Sequence, residues 1–261
     1  MPPVDVEPLL EPDEPSPAIL TNETGESVFF LACDHGGRAF PRRLGQLGLS
    51  EPDTFRHIAW DIGIAEVGRR LSTALDAALI VQTYSRLVID CNRDPSVPSS
   101  IPETSEDTAI PGNRNLGQVE RAARRDAIFR PYHDRIAATL DERQAARRAS
   151  ALVALHSFTP VFRGIARPWH VGVLFNRDAR LAKALLDLLR AEGDLVVGEN
   201  EPYRVTDLTD YTVPVHGERR GLPHVEIEIR QDLITEPAGQ AAWADRLARL
   251  LPAAHAAFER R

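Results

Sequence analysis

The stretch SVFFLACDHGGRAFP, residues 27–41, begins as a buried strand and ends in a polar turn. Residues 28–32 form a short continuous apolar run, which is typical of a strand in a sheet covered on both faces. Asp34, His35 and two glycines follow, so the strand delivers a carboxylate and an imidazole to its carboxyl end. Because ligands of open α/β sheets bind beyond the carboxyl ends of the strands, we predict a functional site at this turn.

Strand-like and helix-like stretches alternate along the rest of the chain, which indicates an α/β fold. The apolar runs predict further strands over residues 77–84, 86–93, 150–158, 170–176 and 224–233. Helical spacing of apolar residues predicts helices over residues 57–77, 118–148, 179–193 and 239–261. Pro131 is expected to break or kink the second of these helices.

The domain organisation follows from shifts in composition. Residues 1–17 are rich in proline and acidic residues and predict a flexible tail, and residues 18–261 show no repeat or break, which predicts a single domain. The segment 94–118 is rich in Pro, Ser and Gly and follows a candidate site strand. So long a loop in a compact domain favours a lid or a substrate-binding loop.

Composition excludes several classes of protein. A net charge of -7 lacks the basic footprint of a nucleic-acid-binding protein. Two cysteines, Cys33 and Cys91, make a disulfide scaffold or a Cys-rich zinc site improbable. The N-terminus lacks the basic and apolar regions of a signal peptide, and no stretch reaches the roughly 18 apolar residues that cross a bilayer. We therefore predict a cytoplasmic enzyme without nucleic-acid or membrane partners.

Polar side chains that catalysis can use come at the ends of three predicted strands. His35 follows the first, Asn92 and Arg93 end the second, and His156 lies near the end of the third. A single histidine at a strand end is more often structural than a ligand. Two of them at the ends of two buried strands make a shared site as good an interpretation as a structural role.

The strand over residues 224–233 has an alternating pattern. His224, Glu226, Glu228 and Arg230 share one face, because successive side chains of a strand point to opposite sides. This polar face is either exposed to water or lines a cleft.

These residue types together suit zinc-dependent hydrolysis. Zinc in a hydrolase takes about three ligands from His, Asp and Glu and leaves one position for water. A nearby second carboxylate can accept a proton from that water, whose pKa the metal lowers to near neutrality. An arginine can hold a substrate carboxylate or stabilise the oxyanion that develops.

The chain also resembles a known family, the N-formylglutamate amidohydrolases (N-formylglutamate deformylases), from about residue 28 to about residue 245. The segments that carry the resemblance are, in order, CDHGGRAFPRRLGQLGL, RHIAWDIG, YSRLVIDCNR, IPGNR, PYHDRI, LHSFTP, ARPWHVGVLFNRD, VGENEPY and DYTVPVHGERRGLPHVEIEIRQDLI. This family is similar to the zinc carboxypeptidases and aspartoacylases. The resemblance implies a mixed central β-sheet with helices on both faces, in a zinc-carboxypeptidase-like (phosphorylase/hydrolase-like) three-layer sandwich, with one Zn2+ per chain.

The resemblance implies roles for individual residues. DHGG is similar to the first-ligand loop of the carboxypeptidases and ALHSF to the strand with a second ligand, which makes His35 and His156 metal ligands. VEIEIRQ is similar to the strand with the general base, and its best register assigns that role to Glu228, with Glu226 as the alternative.

One position departs from the carboxypeptidase pattern. The middle ligand there is a Glu three residues after the first His, whereas Arg38 stands at that position here. We assign the third ligand to Asp61, which follows the first loop at the start of a predicted helix.

The substrate residues also come from the resemblance. CNR is similar to the Asn-Arg pair that binds a terminal carboxylate, so we expect Asn92 and Arg93 to bind substrate, with Arg86 as a further candidate. Arg93 or Arg86 is expected to stabilise the oxyanion. Arg167 and His170 are expected to border the cleft.

The leading hypothesis is therefore a metal-dependent amidohydrolase that cleaves a small N-acyl group from an amino acid, nominally N-formyl-L-glutamate. A zinc peptidase or cell-wall amidase with a wider cleft is the second hypothesis. A non-catalytic protein that binds an anion or a partner on the same fold is the third. The loop 94–118 separates the first two, because only small substrates fit if it folds over the site.

Overall fold

A computed structural model describes residues 7–260 of the chain. The strands are β1 (Ala18–Thr21), β2 (Phe29–Cys33), β3 (Ala78–Gln82), β4 (Thr104–Ser105), β5 (Thr108–Ala109), β6 (Ala151–Phe158), β7 (Val161–Phe162), β8 (Ile165–Ala166), β9 (Val171–Leu174), β10 (Val197–Glu199) and β11 (His224–Arg230). The α-helices are α1 (Glu51–Thr54), α2 (Ile64–Leu75), α3 (Gln118–Arg124), α4 (Arg130–Ala145), α5 (Arg180–Ala191) and α6 (Pro237–Glu259). The described residues also form π-helices at Arg125–Phe129 and Val213–Glu218 and 3₁₀-helices at Arg42–Leu44, Pro98–Ser100, Pro111–Asn113 and Gln231–Leu233.

One mixed sheet forms the centre of the domain, with the strand order β1-β3-β2-β6-β11-β9-β10. The four central strands, β3, β2, β6 and β11, run parallel to one another. β1 pairs antiparallel with β3, and β9 pairs antiparallel with β11. The parallel centre brings the carboxyl ends of β2, β6 and β11 to one edge of the sheet.

The sheet is covered on both faces, which confirms the predicted architecture. Leu31 and Leu155 point to the face packed by α2, α5 and α6, whereas Phe30 and Leu152 point to the face packed by α4 and several loops. Full burial of such a side chain stabilises the fold by about 1.5–3 kcal/mol. The continuous apolar runs of β2 and β6 therefore reflect a sheet with two buried faces.

The segment 86–93 is not a strand, although its apolar run predicts one. Its side chains are buried, but local polar contacts hold the backbone in turns. The hydroxyl of Ser85 accepts the N–H of Leu87, and Arg86 pairs with Asp90 four residues later. Such side-chain contacts compete with a strand ladder for the backbone.

Two predicted helices differ from their expected bounds. Residues 57–63 form turns, and α2 begins only after Gly63, whose φ of 80° is left-handed. Pro131 does not break the chain's second long helix, which runs from residue 118 to residue 145. The π-helix Arg125–Phe129 widens the turn just before Pro131, where the ring would clash with the preceding turn of an α-helix.

The predicted tail also differs where the structure describes it. Leu9 is buried in the core, the phenol of Tyr84 donates to Pro15 O, and Asp13 pairs with Arg42. Residues 7–17 therefore follow the domain surface, and residues 1–6 lie outside the described part of the chain. No helix within residues 7–260 combines the length and the apolar character that a membrane span requires.

Candidate metal centre and substrate cavity

Three buried ligand atoms converge at the carboxyl edge of the sheet. His35 lies two residues beyond β2, His156 lies near the end of β6, and Asp61 lies in the turn before α2. His156 Nδ1 is 3.2 Å from His35 Nδ1 and 3.1 Å from Asp61 Oδ2. His35 Nδ1 is 3.5 Å from Asp61 Oδ2. The structure thus brings together the three residues that the sequence predicts as metal ligands.

These separations fit a tetrahedral zinc ion. Ligands about 2.0–2.1 Å from zinc stand about 3.3 Å from one another in a tetrahedron. The three measured distances, from 3.1 to 3.5 Å, lie around that value. Within residues 7–260, this is the one group of His, Cys, Asp and Glu side chains that meets the geometric requirement for a metal.

A carboxylate lies behind each imidazole. Asp90 Oδ1 is 2.7 Å from His35 Nε2, and Asp34 Oδ2 is 3.4 Å from His156 Nε2. A carboxylate at Nε2 favours the tautomer that is protonated there, which leaves the Nδ1 lone pair free to bind a metal. The hydrogen bond between His35 Nε2 and Asp90 therefore orients His35 as a ligand, whereas the contact between Asp34 and His156 is longer and electrostatic.

The local charge also suits a cation. Burial opposes ionisation of Asp61, but His35 and His156 outweigh it and lower the pKa of this carboxyl group. Burial likewise disfavours charge on His156, yet the surrounding carboxylates raise its pKa well above the ordinary value. The pKa shift of His156 reflects the surrounding negative charge, which a divalent ion can neutralise, and the pKa shift of Asp61 keeps its carboxylate ionised and able to bind a cation.

The loop that carries His35 requires a glycine at position 37. A Cβ on Gly37 would lie 2.0 Å from the carbonyl oxygen of Thr83. Gly37 is therefore required for the loop to pass close to the end of β3, and this passage sets the position of His35.

A cavity of about 470 Å³ adjoins the three ligands. One wall consists of Glu226 and Glu228, and another includes Arg86 and Arg93. Aromatic side chains form a third wall, consisting of Phe158, Phe162 and Tyr203. The polar face of β11 therefore lines a cleft, one of the two alternatives left open by its alternating sequence.

Glu228 is the carboxylate with the properties of a general base. It lies opposite His156 in the β11–β6 ladder, and burial raises its pKa to about 7. A base with a pKa near the working pH is the most effective in proton transfer. Burial and the neighbouring Asp210 raise the pKa of Glu226 well above its usual range. The pKa near 7 favours Glu228 over Glu226 as the base.

The two arginines predicted to bind substrate line the cavity. Arg86 Nη2 is 2.6 Å from Asp90 Oδ2, and Arg93 Nη1 donates to Thr209 O at 3.2 Å. Each arginine side chain keeps 27% of its surface exposed. Both therefore retain donors that a bound anion can reach.

The other predicted substrate residues lie in different surroundings. Asn92 lines the cavity, but its side-chain oxygen already accepts two backbone N–H groups. Arg167 lies behind the aromatic wall, where it donates to the hydroxyl of Tyr203 at 2.9 Å and packs on Phe162. His170 is not among the residues that line the cavity, and its Nδ1 accepts the N–H of Val196.

The segment 94–118 folds against the site. Its hairpin β4–β5 contributes Thr104 and Glu106 to the cavity wall. Glu106 accepts from Arg56 at 3.1 Å, which fastens the hairpin to the turn before Asp61. Further back, Asn113 donates to Leu87 O at 2.8 Å. The loop thus restricts the space in front of the metal centre.

Some residues of the site were not predicted from the sequence. Asp34 and Asp90 orient the imidazoles, and Tyr203 forms part of the aromatic wall. Asp34 directly precedes His35, and this adjacency was the available signal. Tyr203 ends the segment VGENEPY, which carries the family resemblance, but no strand or helix periodicity indicates that it lies at the site.

Comparison with known proteins relates the chain to one family and to solved structures. The model of the N-formylglutamate amidohydrolase family matches residues 27–235. The crystal structure of gene product Atu2144 from Agrobacterium tumefaciens is similar at 41% sequence identity and a TM-score of 0.92, over 96% of this chain and 99% of that chain. The N-formylglutamate amidohydrolase from Ralstonia eutropha JMP134 shares the fold at 19% identity and a TM-score of 0.69, over 94% of this chain and 100% of that chain. No curated protein matches the chain.

Proposed function

The chain belongs to the N-formylglutamate amidohydrolase family, a family of hydrolases that act on amide C–N bonds, and from this premise we propose its substrate and its mechanism. The proposed substrate is a small N-acyl amino acid, nominally N-formyl-L-glutamate, and the proposed cofactor is one zinc ion. The convergence of His35, Asp61 and His156 at tetrahedral spacing carries this proposal.

His35, Asp61 and His156 would hold the zinc ion, and their donor set of two imidazoles and one carboxylate leaves a position open toward the cavity. Zinc supplies Lewis acidity there, which polarises the amide carbonyl and lowers the pKa of water. Asp34 and Asp90 keep the two imidazoles in place.

Glu228 performs the proton transfers. Its carboxylate takes a proton from the attacking water and then delivers that proton to the leaving amine. Its position opposite His156 places it on the cavity side of the metal ligands. Its buried Oε2 has no hydrogen-bond partner within the described part of the chain, so the oxygen is free to meet a water or an amine.

Arg93 and Arg86 bind the two negatively charged groups, the substrate carboxylate and the oxyanion. Arg93 lies at the cavity wall near Thr209 and takes the substrate carboxylate. Arg86 lies next to the metal ligand Asp61, at 3.4 Å, and stabilises the oxyanion of the tetrahedral intermediate.

Replacing Arg93 by Ala is therefore expected to raise KM about 30-fold with a smaller effect on kcat. A charge-assisted hydrogen bond contributes about 2 kcal/mol, which corresponds to that factor. Initial-rate kinetics of N-formyl-L-glutamate hydrolysis measure both constants. Arg180→Ala is the control, because Arg180 pairs only with Asp178 among its recorded ion pairs, at the distant start of α5. An unchanged KM in the Arg93 variant would show that Arg93 does not bind the substrate carboxylate.

The position of the 94–118 loop supports small substrates over the wider cleft of a peptidase or cell-wall amidase. The test is a panel of N-formyl-L-glutamate, other N-formyl and N-acetyl amino acids, a tripeptide and a cell-wall peptide, with release of free amine as the readout. We expect turnover only among the small N-acyl amino acids. Faster cleavage of the peptides would instead indicate a peptidase or cell-wall amidase.

A further inference from the structure

A buried hydrogen-bonded frame lies behind His156, on the side away from the cavity. Asp34 Oδ2 faces His156 Nε2, while Asp34 Oδ1 accepts two hydroxyl groups. Tyr132 donates at 2.8 Å and Thr212 at 2.9 Å. Asp34 is only 1% exposed, and both hydroxyl residues are fully buried. Their donors are therefore committed to this one oxygen.

The frame continues to the other imidazole through one residue, Asn92. Its side-chain oxygen accepts the N–H of Thr212 at 3.0 Å, which fixes the backbone from which the Thr212 hydroxyl projects. Its own N–H donates at 2.9 Å to Asp90 Oδ1, the oxygen that contacts His35. Asn92 thus joins the two carboxylates that lie behind the two imidazoles.

The two carboxylates are held by different means. Asp90 contacts the guanidinium groups of Arg86 and Arg93, so ion pairs hold it in place. Apart from His156, Asp34 has hydroxyl partners only. An oxygen that is already occupied by two donors leaves the other oxygen of the carboxylate to face the imidazole. The orientation of Asp34 therefore depends on the two hydroxyl groups.

A second contact braces the segment that carries Thr212. The π-helix Val213–Glu218 begins directly after it, and His216 in this helix is 3.0 Å from Nδ1 of His133 on α4. His133 Nε2 is 2.7 Å from Cys91 O, next to Asn92. π-Helical turns often occur at functional sites. Here the turn fixes the segment to the residue that precedes Asn92.

We propose that Thr212, held by Asn92, and Tyr132 are positioning residues that orient Asp34 and, through it, the Nδ1 of His156 toward the metal. The inference rests on the proposed function, because it requires a metal at the three ligands. It assigns Asn92 to the support of the metal centre, and leaves the binding of the substrate carboxylate to Arg93.

The test compares zinc dissociation constants by competition with a chromophoric chelator. Thr212→Val removes the hydroxyl group at nearly constant volume and is expected to weaken zinc binding at least tenfold, as loss of an outer partner of a ligand does. Thr212→Ser restores the hydroxyl group, so its zinc dissociation constant should lie within about threefold of the original value. This change is clearly smaller than the loss expected for Thr212→Val. Thr139→Val is the matched control, because this buried hydroxyl donates only to Arg135 O within its own helix.

A second pair of variants tests the other donor. Tyr132→Phe is expected to weaken zinc binding at least tenfold for the same reason. Tyr84→Phe is its control, because the buried Tyr84 phenol donates to Pro15 O and not to a carboxylate behind either imidazole. In the zinc-loaded protein, the Nε2–H resonance of His156 should shift in the Thr212 and Tyr132 variants, while that of His35 stays in place.

The outcomes separate this inference from the proposed function. Zinc binding by Thr212→Val as tight as that of the original protein, or failure of Thr212→Ser to restore affinity, overturns the positioning role. If the unaltered protein does not bind zinc, the proposed metal centre is wrong, and the inference that depends on it is wrong as well. Thermal unfolding of the metal-free variants distinguishes a loss of affinity from a loss of the fold.

Discussion

Replacing Glu228 by Gln is expected to lower kcat for N-formyl-L-glutamate by about three orders of magnitude while zinc remains bound. Gln has nearly the same shape but accepts no proton from water, and loss of a general acid–base group costs about 10²–10⁴ in rate. The three ligand atoms belong to other residues, so the metal content should stay the same. Steady-state kinetics and elemental analysis of the same sample measure both quantities.

Glu226→Gln is the matched control for this prediction. Glu226 lies two residues earlier on the same face of β11, and burial with the neighbouring Asp210 keeps its pKa well above the usual range. Gln resembles the protonated form, so this variant should retain most of the activity. Retention of activity in Glu228→Gln and its loss in Glu226→Gln would transfer the role of base to Glu226.

Replacing Asp61 by Asn is expected to weaken zinc binding at least 100-fold and to abolish turnover with it. Asp61 Oδ2 is the one carboxylate oxygen among the three ligand atoms, and a neutral amide is a poorer ligand for zinc. Its loss should cost more than the roughly 10–100-fold caused by loss of an outer partner. Isothermal titration with zinc measures the change.

Asp232→Asn is the control for Asp61→Asn. Asp232 is partly exposed and pairs with Arg230 beyond the end of β11, outside the cavity lining. This variant should bind zinc like the original protein. If Asp61→Asn also does so, Asp61 is not a ligand, and the third position belongs to another residue.

The sequence predicted those parts of the site that lie at the ends of regular strands. β2 and β6 are continuous apolar runs, so the polar residues that follow them mark the carboxyl edge of the sheet. His35 and His156 could therefore be paired although 121 positions separate them. Asp61 lies in no strand, and it was assigned because it follows the first loop at the start of a predicted helix.

The segment 86–93 shows why an apolar run does not determine secondary structure. Burial of Leu87, Val88 and Ile89 satisfies the apolar pattern equally well in a strand and in an irregular segment. The contacts of Ser85 and Asp90 hold the backbone in turns, and no sequence pattern predicts these contacts. Asn92 and Arg93 still reach the cavity, because the segment ends at the same edge of the sheet.

The frame behind His156 could not be predicted for a different reason. Thr212 meets Asp34 across 178 positions, and Tyr132 meets it across 98. Both residues lie in segments that carry the family resemblance, but no spacing pattern pairs either of them with Asp34, and both hydroxyl groups would satisfy many other buried acceptors equally well. The packing of α4 and the π-helix at Val213–Glu218 against the end of β2 brings these groups together.

The most direct test of the central claim is hydrolysis of N-formyl-L-glutamate by the purified protein before chelation, after chelation and after return of stoichiometric zinc. The account predicts release of glutamate that stops when the metal is removed and recovers when one zinc ion per chain is restored. Turnover that continues at the original rate in fully chelated protein would contradict the role of His35, Asp61 and His156 as a catalytic metal centre.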